Sequence, residues 1–309
     1  MDGFAPPHPV DRADWPALAE FLHHQNRDAS GRVRCLQAEQ GETVAAVLHE
    51  MRSLNDGESC FLAVSEGAAL HGAIGAEVDP SLSRAWLRGP VCSGAVAADP
   101  VLRDRLFDAL IAALPAALPH IRRFDAFPHV DETPLRAAWR RAGFRDELQH
   151  HVLSLAQAAY TPPSLPSSAT TAGAADAVAA GALHEALFPV SYLRSADLMA
   201  ATATHVGGNP RRLFVAASAG VVCGYAYVQQ LPAGDEAYVD YLGVAPDARG
   251  HGLGRALLDA AVHWALVERA LPRVSLTVRQ DRSPALGLYF GAGFVEVAAG
   301  AHLVLERPA

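Results

Sequence analysis

Lysine is absent from this chain: all 25 basic residues among its 309 are arginine. That excludes a Walker A nucleotide loop, which needs Gly-Lys followed by Ser or Thr. Cysteine is scarce. Cys35, Cys60, Cys92 and Cys223 form no C-x-x-C pair, which reads as buried free thiols in a reducing cytoplasm. The 14 histidines include His23-His24 and His150-His151 but show no H-E-x-x-H or other ligand spacing, so no metal is expected. No apolar run reaches the about 20 residues of a membrane span; the richest, Leu110 to Leu118, is cut by Pro115 and Pro119. Met1 to Trp15 carries Asp2, Asp11 and three prolines instead of a basic and then apolar leader, so no secretory signal is expected. The formal net charge of −8 argues against nucleic acid as a partner and favours a cationic substrate.

Half of the chain (50%) is hydrophobic, and the length suits two domains, each with its own core. The most informative stretch is Val244 to Leu257, V-A-P-D-A-R-G-H-G-L-G-R-A-L. Gly250, Gly252 and Gly254 alternate along a loop that follows an apolar strand and opens a helix. Glycines let a phosphate oxygen approach the main chain, and the helix start adds unbonded N–H groups and its dipole. Such a loop suits a phosphorylated ligand. A dinucleotide fingerprint needs G-x-G-x-x-G tight after the strand and an acid about 20 positions on, a part Asp281 could play. Here the spacing is G-x-G-x-G, and Pro246 to Arg249 intervene.

The order strand, V-x-P-x-x-R-G-x-G-x-G, helix resembles the acyl-CoA loop of the GNAT (GCN5-related N-acetyltransferase) superfamily, with Arg249, Gly252 and Gly254 on its R/Q-x-x-G-x-G/A element. Ala285, Leu288, Tyr289, Gly293 and Phe294 match a second family element, A-x-x-L-Y-x-x-x-G-F. The family's usual Asn ahead of that alanine is Arg282 here. The resemblance implies acetyl-CoA as acyl donor, no metal, and direct transfer to a primary amine, small-molecule or peptide, in a ternary complex.

An internal repeat extends the reading. Phe61 to Val78 resembles Leu213 to Gln230, with Gly72 opposite Gly224. Thr133-Pro134 falls opposite Ser283-Pro284, each read as an N-cap followed by proline, and Gly143-Phe144 opposite Gly293-Phe294. The expected architecture is α/β (α+β): two tandem GNAT-like domains, each a mostly antiparallel mixed sheet flanked by helices. The first spans 1–160, a Pro/Ser-rich linker 161–173, and the second 174–309. In the first copy Asp99-Pro100 stands where the glycine loop belongs, and Trp139 where the tyrosine belongs. A carboxylate there would repel pyrophosphate, so the first copy is expected to keep the fold without the chemistry. Such a chain could be a monomer that mimics a dimer, or a homodimer.

Within the second copy, period two puts Glu236, Tyr238, Asp240, Leu242 and Val244 on one strand face. The resemblance assigns pantetheine to the main chain at Leu242, Gly243 and Val244. It assigns the pyrophosphate to Arg249, Gly250, His251, Gly252, Leu253, Gly254 and Arg255, with Arg282 in the place of another contact. It makes Tyr289 the acid that protonates the departing thiolate; otherwise Tyr289 is a core aromatic. Tyr238, also a candidate substrate contact, holds the position where the family often has a glutamate base, so flanking Asp240, the nearer to the loop, or Glu236 takes that role through water; alternatively Asp240 makes a structural ion pair. A helix over 252–270 is expected to anchor on Leu253, Leu257, Ala260, Trp264 and Val267. His184, Phe188 and Tyr192 line the acceptor pocket or pack the core. Loss of turnover with retained acyl-CoA binding is the alternative function.

Overall fold

The computed structural model describes residues 4–28, 30–36, 42–54, 57–162, 168–189, 191, 193–201, 209–231 and 234–308. They fall into two compact units, Met1–His150 with Ala298–Ala309, and His151–Val297. In chain order the first run is β1 (His8–Pro9), α1 (Trp15–Gln25), α2 (Val44–Ser53), β2 (Ser59–Glu66), β3 (Ala69–Asp79) and β4 (Arg84–Cys92). Then come α3 (Gly94–Ala97), α4 (Pro100–Ala117), β5 (Arg123–Ala126), α5 (Thr133–Arg141) and β6 (Arg145–Ala156). The second run is β7 (Thr170–Thr171), α6 (Ala174–Leu187), α7 (Ser195–Ala200), β8 (Arg211–Ser218), β9 (Val221–Gln230) and β10 (Glu236–Val244). It ends with α8 (Leu253–His263), β11 (Arg273–Arg279), α9 (Ser283–Gly291) and β12 (Val295–Glu306).

The first unit's sheet runs β1-β2-β3-β4-β5-β12, with β4 and β5 parallel and the remaining pairs antiparallel. The second unit's runs β6-β11-β10-β9-β8-β7, with β10 and β11 parallel. The mostly antiparallel, helix-flanked sheet expected of each copy is present. The compact units nevertheless cut the chain differently from the sequence repeat, because each sheet closes on a strand written in the other half. Leu303 of β12 is buried beside Leu87 and Phe124, and Leu153 and Leu155 of β6 are buried beside Leu257 and Leu276. Part of the linker also has structure: Thr170 and Thr171 pair with Val215 and Phe214.

The repeated hairpins show why glycine recurs at 72 and 224. Each sits at a register break, after Val64↔Gly72 and after Ala216↔Gly224. A Cβ on Gly72 would lie 2.5 Å from Leu106 of α4, and one on Gly224 would lie 2.9 Å from Leu257 of α8. Glycine thus lets the same helix settle onto the same hairpin in both copies. Two local expectations shift. The helices of the Thr133-Pro134 and Ser283-Pro284 pairs begin one residue earlier than read, with Glu132 and Arg282 at the N-cap and no side-chain cap bond. The 252–270 helix ends its α ladder at His263 and continues as a π turn over Trp264–Glu268. That wider turn rotates the helix face: Leu266 is buried and Val267 is 46% exposed, so Val267 is no core anchor.

In the first unit Asp125 is fully buried and accepts from Arg84 (2.6 Å), Arg123 (3.1 Å) and His302 (2.7 Å). Asp125, Glu147 and His302 bring ligand-type atoms within 4.8 Å of one another. A cation there would have to displace two guanidinium groups from one carboxylate. The cluster reads as a buried ion-pair network.

Candidate active site

The second unit's sheet opens in the middle. The parallel ladder of β10 and β11 covers Glu236↔Arg273, Ala237↔Val274 and Tyr238↔Ser275, and stops there. Beyond it, β10 keeps its pairing with β9 as far as Val244 on one edge, while the register with β11 on the other edge has ended.

A bulge in β10 corrects the expected strand face. Val239 pairs with Val228, and the next partners are Tyr241 and Tyr227, which leaves Asp240 as the extra residue. One inserted residue reverses the alternation beyond it. Leu242 and Val244 consequently turn to the face that packs under α8, with Ala226 and Val228. Tyr241 turns to the opposite face with Tyr225 and Tyr227, and α6 covers that side. Gly243 shares this second face: a Cβ there would lie 2.8 Å from both Leu187 and Tyr225. The five residues Glu236, Tyr238, Asp240, Leu242 and Val244 do not share one side.

At the end of β10, Arg249 folds back so that its Nε donates to the Val244 carbonyl at 3.1 Å. Gly250 (φ 82°) and Gly252 (φ 78°) are both left-handed, and Gly252 is the N-cap of α8. A Cβ at either position would meet nothing within 4 Å, so the space before the loop is open. Ala256 donates to the Gly252 carbonyl at 3.0 Å and starts the helical ladder. The N–H groups of Leu253, Gly254 and Arg255 stand ahead of it, at the positive end of the dipole. A Cβ on Gly254 would lie at ordinary contact distance from Leu288, Leu242 and Val244. Arg255 bonds Asp259 (2.8 Å) and the Gly291 carbonyl (3.0 Å), which ties α8 to α9. His251 faces the Ala248 carbonyl at 3.3 Å. The loop's own shape fits an anion held by main-chain donors. Arg282 is exposed, at the N-cap of α9.

Tyr289 is 8% exposed, and burial pushes its phenol up to about 12, so it carries its proton at neutral pH. Glu236 is buried, accepts from Arg273 Nε at 2.9 Å and from the Ser275 hydroxyl, and so has both oxygens engaged. It is a structural ion pair across the closed end of the ladder, which corrects its reading as a base. Asp240 is half-buried and accepts from Gln229 Nε2 at 2.6 Å; Tyr238 is half-buried nearby.

On the α6 side, His184 is 1% exposed and bonded at both nitrogens. Nδ1 meets the Tyr225 hydroxyl at 2.6 Å, and Nε2 meets the Leu193 carbonyl at 3.1 Å and Ser191 Oγ at 3.0 Å. A carbonyl can only accept, so Nε2 carries the proton and Nδ1 accepts from Tyr225. Burial holds the imidazole below its ordinary value and pushes the Tyr225 phenol up. His184 therefore braces the wall and does not line it. Phe188 packs edge-on against Tyr241, with ring centroids 5.1 Å apart. Tyr192 lies outside the described residues.

Residues 181–294 match the model of the acetyltransferase (GNAT) family. The C-terminal half carries a GNAT domain. Among curated proteins, a mycothiol acetyltransferase of Nocardioides sp. is 39% identical over 72 residues, 23% of this chain and 23% of that protein. Another, of Thermomonospora curvata, is 41% identical over 92 residues, 29% of this chain and 30% of that protein. The chain thus aligns with less than a third of the length of these relatives. A solved tandem GNAT protein from the clavulanic acid biosynthesis pathway has a TM-score of 0.68 at 17% identity, covering 98% of this chain and 99% of that one. A GCN5-related N-acetyltransferase from Sphaerobacter thermophilus has a TM-score of 0.67 at 18% identity, covering 100% and 98%. At these identities the likeness is one of fold, and it includes the tandem layout.

Among the described residues, the first unit has no glycine loop at the start of α4, the place that corresponds to the loop before α8. Asp99 caps α4 with its carboxylate, accepting from Val101 N (2.9 Å) and Leu102 N (3.2 Å), so the donors at that helix start are already used. Trp139, in the tyrosine's place, is fully buried. Sequence reasoning missed Ser191, Tyr225 and Tyr241 of the GNAT domain. The alternating tyrosines at 225 and 227 were a signal, but Tyr241 joins them only through the bulge.

Proposed function

We propose that the GNAT domain transfers an acetyl group from acetyl-CoA to a primary amine, small-molecule or peptide, by direct attack in a ternary complex. The observation that carries this reading is the seam between β10 and β11 beyond Tyr238–Ser275, with the left-handed glycine loop at its mouth. The main-chain edge at Leu242, Gly243 and Val244 takes the pantetheine amides as an added strand would. The N–H groups of the 249–255 loop and the α8 start take the pyrophosphate. Bound acetyl-CoA supplies an activated acyl carbon and a thiolate leaving group. Asp240 receives the proton that the acceptor ammonium loses, and Tyr289, held protonated by burial, gives one to the departing sulfur. The first unit takes no acyl-CoA in this reading.

A second reading, acyl-CoA binding without turnover, is favoured by the engagement of Glu236 with Arg273 and by tyrosine at position 238. One experiment separates the two: acetyl-CoA binding by calorimetry, and CoA-thiol release against a broad amine panel, with Tyr289→Phe and Gly252→Asp. The stretch shared with proteins named mycothiol acetyltransferases puts an acceptor of that type first on the panel. Binding without thiol release on any amine selects the second reading. No binding, or unchanged binding in Gly252→Asp, removes the loop assignment on which both rest.

A further inference from the structure

A cavity of about 40 Å³ lies within the first unit, lined by residues of α1, α2 and β4 and of the chain between the two helices. At about 10–15 Å³ for one water-sized group, it has room for about three. Beyond α1 the chain turns at Gly31 (φ 80°), Arg27 pairs with Val33, and Asn26 Oδ1 accepts from the Cys35 N–H at 3.0 Å. That turn brings Val33 and Cys35 back to the end of the helix. With Leu22, Val47 and Val91 they make a buried apolar wall.

The spare hydrogen-bonding capacity of the polar lining is on the donor side. Arg27 Nη1 donates to the Gly31 carbonyl and Nη2 to the Glu42 carbonyl, both at 3.2 Å, and Arg27 pairs with no carboxylate among the described residues. Asn26 Nδ2 has no acceptor among them either. Arg88 Nε donates to Glu77 (2.6 Å) and Nη2 to Glu50 (2.5 Å), which leaves Nη1 over. Burial, then the charge of Arg27, holds the His23 imidazole below its ordinary value. The acids are already engaged: Glu77 and Glu50 with Arg88, and Glu42 with Glu50 through a side-chain hydrogen bond that requires one proton between the two carboxyl groups. The repeat shows a change of sign at the same place. The offset that sets Gly72 opposite Gly224 (224 − 72 = 152) sets Arg88 opposite Asp240 (240 − 88 = 152) and Glu77 opposite Gln229 (229 − 77 = 152). Both pairs are bonded across the strands at 2.6 Å. Where the second copy has an anion, the first has a cation. We propose that this cavity is a binding site for a short-chain monocarboxylate of about three or four carbons, with its carboxylate on Arg27, Asn26 and Arg88 as further donors, and its carbons against Leu22, Val33 and Val47. The site is separate from acetyl transfer and stands whether or not the second unit turns over.

The test is an NMR titration of the full chain with three molecules of nearly one shape: isobutyrate, isobutyramide and isobutylamine. Isobutyrate is expected to bind at least about tenfold more tightly than the other two. Arg27→Gln is expected to weaken isobutyrate at least about tenfold, and Arg27→Lys, which keeps the charge without the fork, to weaken it less. Arg52→Gln, at an exposed arginine of α2 outside the cavity, is expected to change nothing. Val47→Phe, which fills the apolar wall, is expected to abolish binding with Arg27 intact, and unchanged amide exchange in α4 shows that the unit is still folded. Equal binding of the three molecules, or preference for isobutylamine, overturns the carboxylate assignment. Undiminished binding in Arg27→Gln, or the same loss in Arg52→Gln, overturns the site. Either failure leaves acetyl-CoA binding and thiol release by the second unit as they are, so the two readings fail separately.

Discussion

Leu153 and Leu155 provide the sharpest test of how the two units are assembled. They precede the Pro/Ser-rich linker in the sequence, yet they are 0% and 2% exposed in the core that carries Leu257, Trp264 and Tyr289. Gln157 strengthens the attachment, bonding the Leu266 carbonyl through its side chain (2.6 Å) and the Pro272 carbonyl through its N–H (2.8 Å). Truncating one buried leucine to alanine costs about 2–5 kcal/mol. Two on the same face couple, so the double variant loses roughly 4–8 kcal/mol, a large part of the about 5–15 kcal/mol that holds an ordinary domain together. Amide exchange read on peptides from α8 and α4 separates the units. Leu153→Ala and the double variant are expected to speed exchange in α8, weaken acetyl-CoA binding, and leave α4 nearly unchanged. Leu303→Ala, in β12, is expected to do the reverse. Loss of protection in α4 with α8 intact, after Leu153→Ala, would refute the assignment of β6 to the second unit.

Three further outcomes follow from the geometry. Gly252→Asp forces a Cβ into a left-handed residue and puts a carboxylate where the N–H groups converge, so acetyl-CoA affinity should fall at least tenfold, about 1.4 kcal/mol, by calorimetry. Gly224→Ala drives a methyl toward Leu257 and the Gly243 carbonyl, at 2.9 and 3.2 Å, and is expected to lower urea stability of the second unit by about 1–3 kcal/mol. Burial pushes the Asp125 carboxyl up, but His302, Arg84 and Arg123 outweigh it and hold it at about 2. Its contribution is therefore present above its ordinary value of 3.8 and is lost as pH falls toward about 2. Asp125→Asn should flatten that stretch of the stability profile in urea titrations.

The loop was legible because its chemistry is local. Gly250 and Gly252 are left-handed, and Asp99 blocks the same place in the first copy, features carried by single residues and their immediate neighbours. The repeat was legible through Gly72 and Gly224, whose role is a close approach of helix to strand. The face of β10 was not, since a bulge at Asp240 depends on how β9 pairs with it, and period two carries no trace of the inserted residue. In sequence Asp240 stands ahead of Glu236 only by its nearness to the loop; the tertiary partners Arg273, Ser275 and Gln229 are what distinguish their surroundings. Nor does composition reveal which sheet a strand completes. β6 and β12 read equally well in either copy.

That exchange has a consequence for synthesis. While a ribosome is still making the second half, β5 waits with its outer edge uncovered, because the residues that pair with it, Leu303 to Glu306, are made after the strands β6 to β11. An uncovered strand edge is a template for any other β segment within reach. Two nascent chains on one messenger would then be able to trade their β12 strands, each finishing the other's first unit with the same contacts that Leu303 makes within one chain.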